Sequence, residues 1–260
     1  MASDELLYEI EDEIGLITLN RPRAMNALTF EMYDRIGAIC ESVPTDGTVK
    51  AVIITGAGER AFAAGTDISL FQDFHTAEQG IEYETNFAAC FERIERCPVP
   101  TIAAISGACT GGGAGIAAVC DLRIATRSLR YGFPIARTLG NCLSVAALSR
   151  LSALLGQGRL VDIMLTARLI EADEASAIGL VNEVLDDHAQ LMARARTLAT
   201  QLKSHAPLTM RATKELLRRI HAHGPQVDDR DIIGEVYASA DFREGLEAFL
   251  AKRKPHWQGR

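Results

Sequence analysis

Ile105-Ser106-Gly107-Ala108-Cys109-Thr110-Gly111-Gly112-Gly113-Ala114-Gly115 follows directly from the apolar run Thr101–Ile105. A charge-free run of that length, then a glycine turn, then Ala114–Val119, predicts a buried strand, a tight turn and a short helix. The arrangement occurs once upstream, where Ala61-Phe62-Ala63-Ala64-Gly65-Thr66-Asp67-Ile68 comes after the buried apolar strand Ala51–Thr55. Glycine lets backbone N–H groups turn outward and approach a ligand closely. The Gly112–Gly113 end also opens a helix, whose first N–H groups are unpaired and carry the positive end of its dipole. Two such groups converging on one point would form an oxyanion hole. Tight strand–helix packing with no ligand explains either segment taken alone. The uncharged stretch Cys97–Cys120 could match a bilayer in length. Its Ala and Gly content, Pro98, Pro100 and the glycine run argue instead for a buried strand, turn and helix.

Outward from this pair, Leu6–Glu11 and Ile14–Asn20 read as a hairpin turning near Asp12–Glu13. Arg21-Pro22-Arg23 breaks the second strand. Thr29 is placed to cap a helix reaching Val43, with Phe30, Tyr33, Ile36 and Cys40 near one face. A second helix is expected over Glu78–Arg96 and a further strand over Leu122–Ala125. Strand–helix alternation implies parallel strands with right-handed crossovers. From Ser144 the chain is mainly helical. Leu191, Ala195, Leu198 and Leu202 make an amphipathic stripe. Pro207 opens another helix that Gly224-Pro225 ends, and Asp241–Lys252 reads as the last. The expected organisation is an α/β core over 1–200 and a helical region over 201–260.

A chain of 260 residues with 48% apolar content can bury a large core. Its 27 basic residues stand against 34 acidic ones, a net charge of −7. That excess argues against nucleic acid as the main partner but leaves room for a small anion held by local cations. The six cysteines form no CxxC pair and no His/Cys cluster has zinc spacing, so no metal is expected and a reducing cytoplasm is the simple compartment. The acidic start MASDELLYEI lacks the features of a secretory signal. Gly56-Ala57-Gly58-Glu59-Arg60-Ala61 formally matches GxGxxA. The chain runs on into Phe62–Asp67, too broken by glycine for the helix a dinucleotide fingerprint needs. No GxxxxGK[ST] phosphate loop and no GxSxG elbow occurs.

Phe62-Ala63-Ala64-Gly65-Thr66-Asp67-Ile68 resembles the F-x-A-G-x-D-[IL] segment of the crotonase (enoyl-CoA hydratase/isomerase) superfamily. Pro100–Gly107 through Gly111-Gly112-Gly113 to Cys120-Asp121 resembles its P-x-I-A-A-x-x-G-x-x-x-G-G-G…C-D segment. The resemblance runs from Leu19-Asn20-Arg21-Pro22 and Met25-Asn26-Ala27-Leu28, through Glu171–Ala175 and Gly179-Leu180-Val181, to Phe242–Gly245 and Ala248–Pro255. It implies a crotonase (ClpP-like) ββα spiral with a C-terminal helical oligomerisation region, assembled as a homotrimer or a hexamer. It further implies an acyl-CoA substrate, coenzyme A entering only as part of that substrate, with no separate cofactor and no membrane or nucleic-acid partner. By position, the backbone N–H groups of Thr66 and Gly112 are the oxyanion-hole donors. Arg23 and Ala24, with Ala64, Thr66, Asp67, Ile68 and Ser69, would line the CoA. Phe249 and Lys252 would reach its adenine end, across to a neighbouring subunit.

Hydratases of the family carry one glutamate in GGG-x-E and a second in G-x-P-E. Here those positions are Gly115 and Ile135 (Ala136 if the longer Pro134–Gly140 stretch shifts the register). Both carboxylates that would hold and deprotonate water are absent. Standard hydration is therefore unexpected, and enolate stabilisation at Thr66 and Gly112 is the function expected to persist. Decarboxylation, retro-aldol cleavage or hydrolysis of a CoA thioester needs the hole more than two glutamates. A non-catalytic CoA-ester-binding oligomer is the reading from another class. Candidates for a replacement acid or base are Cys142, Tyr131, Arg137, Asp73, His75, Glu78 and Glu82. Against Cys142 stands a reading in which Asn141 caps the helix Leu143–Leu155 and Cys142 packs in the core.

Overall fold

The computed structural model describes residues 5–224 and 226–260; Pro225, half of the expected stop after the Pro207 helix, lies outside them. The chain climbs as a spiral whose first three turns each add two strands and a helix. The first turn is β1 (Leu6–Glu11), β2 (Ile14–Leu19) and α1 (Phe30–Ser42), capped by the Thr29 hydroxyl accepting from Met32 N–H. The second is β3 (Ala51–Gly56), β4 (Ala61–Ala63) and α2 (Ala77–Glu95), and the third is β5 (Thr101–Ile105), β6 (Ala108–Thr110) and α3 (Gly112–Val119). The fourth is β7 (Leu122–Thr126), β8 (Arg130–Gly132), α4 (Val145–Leu155) and α5 (Gln157–Thr166). Then come β9 (Ile170–Glu171), α6 (Ala172–Ala177), β10 (Glu183–Leu185) and α7 (His188–Leu202). The tail is α8 (Pro207–His223), α9 (Arg230–Ala238) and α10 (Ala240–Leu250).

Repeating the turn builds two sheets. One has the order β1-β2-β3-β5-β7-β10, parallel except for the β1–β2 hairpin, and the other the order β4-β6-β8-β9. Strand pleating explains why β3 and β5 are buried throughout and largely apolar. Val52, Ile54, Ala103 and Ile105 enter the core beneath α1, α2 and α3, while Ala51, Ile53, Ile102 and Ala104 meet Leu191, Ala195 and Ala199 of α7. The α7 stripe is thus the cover of the sheet's second face. No described helix is long and apolar enough to cross a membrane, and Cys97–Cys120 is spent on β5, β6 and α3.

Candidate functional site

Because β4 and β6 are parallel neighbours, the glycine turns that leave them emerge side by side. Gly65 (φ +105°) and Gly111 (φ +52°) both occupy left-handed backbone. A Cβ on Gly111 would lie 3.4 Å from the Gly65 Cα, so the two turns touch. The loop before α1 braces the first turn. Leu28 N–H donates to the Gly65 carbonyl at 2.8 Å, and Asp67 N–H donates to the Leu28 carbonyl at 2.9 Å. That loop is held in turn by Asn26, fully buried, whose amide donates to the carbonyls of Ala57 and Ala61. The second turn is fixed by Gly111 N–H donating to Gly132 of β8. With the carbonyls so engaged, the N–H groups of Thr66 and Gly112 have no acceptor among the described residues.

Both residues line one narrow pocket of about 80 Å³, with Ala64, Ile68, Phe87 and Ile135 also in its walls. It adjoins an apolar outer cleft of about 1050 Å³ between α2 and the start of α4. Phe71, Tyr83, Glu84, Leu139 and Asn141 border both. A void of that size is in the range of small-molecule sites. The Thr66 hydroxyl is held between two phenols, Tyr33 at 2.9 Å and Tyr83 at 2.8 Å. Burial pushes the Tyr83 phenol up to about 12 and lifts Tyr33 well above its ordinary value, so both stay protonated and neutral at physiological pH. Tyr33 reaches so close to Gly112 that a Cβ there would overlap its hydroxyl.

The other expected lining residues fall outside these walls. Asp67 is turned into the frame: the Ser69 hydroxyl at 2.7 Å, then Arg21 at 2.9 Å, hold its carboxyl below the usual carboxylate range. Arg23 and Ala24 form an exposed turn at one side, and Phe249, 81% exposed on α10, and Lys252 lie on the tail. Gly115 is sealed from the pocket. The Phe91 ring of α2 stands where its Cβ would be, and that ring packs on Phe87 with centroids 4.2 Å apart. Ile135 does line the pocket, from the short 3-10 turn Pro134–Ala136.

The candidate replacement acids separate sharply. Asp73, His75, Glu78 and Glu82 are exposed, away from Thr66 and Gly112. Tyr131 is fully buried and donates to the Ala114 carbonyl at 3.1 Å, and Arg137 is exposed. The helix-cap reading of Asn141 is corrected: α4 begins at Val145, and Ser144 caps it by accepting from Ala147 N–H. Cys142, expected in the core, is exposed on the wall of the outer cleft. Sequence reading missed Glu84, among the described residues the one carboxylate bordering both cavities. The signal was faint: Glu84 lies seven residues before Phe91, two helical turns on the same face of α2.

The enoyl-CoA hydratase/isomerase family profile matches residues 9–260. The chain is 35% identical to a short-chain-enoyl-CoA hydratase of Clostridium acetobutylicum, over 98% of this chain and 97% of that one. It is 34% identical to a crotonyl-CoA hydratase of Syntrophomonas wolfei, over 99% of each. Among solved structures, an enoyl-CoA hydratase/carnithine racemase of Magnetospirillum magneticum superposes with a TM-score of 0.90 at 34% identity, covering 100% of this chain and 97% of that one.

Proposed function

Since this chain belongs to the enoyl-CoA hydratase/isomerase family, we propose that it binds an acyl-CoA with the thioester oxygen between the N–H groups of Thr66 and Gly112 and stabilises the enolate formed there. The observation that carries the reading is the pair of touching glycine turns, each ending in a backbone N–H without an acceptor among the described residues, at the floor of one pocket. Fixed donors in a confined site stabilise developing oxyanion charge without reorganising. The hydroxyl chain Tyr33–Thr66–Tyr83 keeps the first donor in place. Arg23, Ala24 and the segment Ala64–Ser69 are the proposed path of the CoA, with Phe249 and Lys252 meeting its adenine end from a neighbouring subunit. The exposed apolar residues Ile233, Tyr237, Leu246, Phe249 and Leu250 on α9 and α10 support assembly as a trimer or hexamer. We place the enzyme in the cytoplasm, with CoA only as part of the substrate.

Standard hydration does not suit this pocket. Ile135 presents an apolar surface to it and Gly115 is walled off by Phe91. The test is a panel of CoA thioesters, scored by calorimetric binding and by mass change of the acyl group. Turnover of any member supports the enzyme. Tight binding of several with turnover of none would replace it with a CoA-ester-binding oligomer, and binding of none would refute the reading.

A further inference from the structure

We propose that Glu84 is the catalytic acid/base of this site, taking a proton from and returning it to the acyl carbon next to the thioester; this rests on the acyl-CoA reading above. Glu84 is half-buried on α2, where the narrow pocket opens into the outer cleft. One carboxylate oxygen accepts from Ser144 N–H at 3.0 Å. The other has no partner among the described residues, and no cation pairs with the group. The surrounding walls are largely apolar and otherwise uncharged, with Phe71, Phe87, Leu139 and Leu143 beside Thr138 and Asn141. Burial raises its proton affinity, against the smaller effect of the Ser144 bond. The remaining ionisable groups on the cleft do not compete for this part. Tyr83 is bonded to Thr66, Arg150 is bidentate with Glu95, Glu92 pairs with Arg96, and Cys142 lies out on the wall.

A carboxylate held in such a setting is suited to proton transfer, and removing its proton-transfer role costs typically about 10²–10⁴-fold in rate. The step balances without a co-reactant. The Glu84 carboxylate takes the C2 proton. The C2–H electron pair becomes the C1–C2 double bond, and the carbonyl π pair moves onto the oxygen facing Thr66 and Gly112. Reversal returns a proton to C2, and in heavy water that proton is deuterium.

The experiment uses the full-length protein and butyryl-CoA in heavy water, with binding measured by calorimetry and C2 exchange by mass spectrometry. The unmodified protein should bind and exchange. Glu84→Gln keeps an acceptor for Ser144 N–H, so it should bind butyryl-CoA within about threefold and lose exchange by about 10²–10⁴-fold. Glu84→Asp should recover part of the rate, and the rate of the unmodified protein should rise with pH as Glu84 ionises, a rise that should vanish in Glu84→Gln. Exchange by Glu84→Gln at the unmodified rate, or binding without exchange by the unmodified protein, would overturn the role of Glu84 and leave the acyl-CoA reading standing. Failure of the unmodified protein to bind butyryl-CoA at all would remove that reading and the proposal with it.

Discussion

Gly115→Ala tests why a family hydratase glutamate is replaced here by glycine. The new Cβ would land on the Phe91 ring, which is 2% exposed and packed on Phe87. Overpacking a close-packed core costs about 1–3 kcal/mol, and a trapped ring with no void to enter puts this site at the upper end. Alanine regains about 1 kcal/mol of helix propensity over glycine. The net loss is about 2 kcal/mol, which for a chain of this size lowers the melting temperature by about 4–8 °C. Thermal and urea unfolding of Gly115→Ala, Phe91→Leu and the double variant form a cycle, in which the pair should couple by about 1 kcal/mol or more because the smaller side chain makes room. Gly115→Glu with Ile135→Glu should therefore not become a hydratase, since the new carboxylate has no path past Phe91. Adding Phe91→Ala should open one and raise crotonyl-CoA hydration. A Gly115→Ala variant as stable as the unmodified protein, with no coupling to Phe91, would refute the packing account.

The remaining predictions bear on the pocket and the assembly. The unmodified protein should hydrate crotonyl-CoA far more slowly than a two-glutamate relative, by about 10²–10⁴-fold for each missing group; a rate typical of a dedicated hydratase, measured by loss of enoyl absorbance, contradicts this. In a Tyr33→Phe background, which removes the hydroxyl overlap at Gly112 and leaves the ring carbon 2.9 Å from the new Cβ in both variants, Gly112→Pro should turn over its substrate about 10²–10³-fold more slowly than Gly112→Ala, because both add a Cβ and only proline lacks the N–H. Equal kcat values would sink the assignment of that donor. Glu84 binds its proton more tightly folded than unfolded, so it lowers stability as pH rises from its unfolded to its folded pKa. Glu84→Gln should thus melt higher than the unmodified protein above that window and at the same temperature below it, and a pH-independent difference would argue otherwise. Light scattering should find a trimer or hexamer at micromolar concentration, and a stable monomer would refute the role given to α9 and α10.

Strong local patterns were legible in the sequence to within a residue or two. The hairpin, β3, β5, the Thr29 cap and the Pro207 start each rest on nearest neighbours in the chain. The second sheet was not legible as a sheet. β4, β6, β8 and β9 have only two or three residues each, too few for alternation to register, and their pairing is decided by the spiral that stacks them. The same distinction explains the errors around α4. Asn141 and Ser144 are both competent caps, and Ser144, which caps α4, is also tied by its N–H to Glu84 across 60 residues of sequence, a contact that local sequence does not reveal. Phe30 was placed with the core face of α1, yet it is 40% exposed and meets Phe71, Phe74 and Tyr83, an aromatic cluster assembled from two other segments.

The closing of one site and the opening of another are consequences of a single helix face. Seven residues along α2 return to nearly the same side, about 10 Å further on. Phe91 at one end of that interval fills the space in front of Gly115, and Glu84 at the other stands at the mouth of the pocket floored by Thr66 and Gly112. Phe87, between them, packs on Phe91 and walls the same pocket. With a glutamate at 115, Phe91 would have no room. With Phe91 in place, a carboxylate reaches the pocket from further up α2, at Glu84, and the wall across it is held by Ile135. Replacing Phe91 alone should therefore loosen the floor without creating an acid, whereas replacing Glu84 alone should remove the acid and leave the floor intact. Unfolding and exchange measurements on those two single variants read the two effects separately. Loss of C2 exchange in Phe91→Leu equal to that in Glu84→Gln, with Thr66 and Gly112 undisturbed, would mean that the two ends of this face do not divide the work in this way.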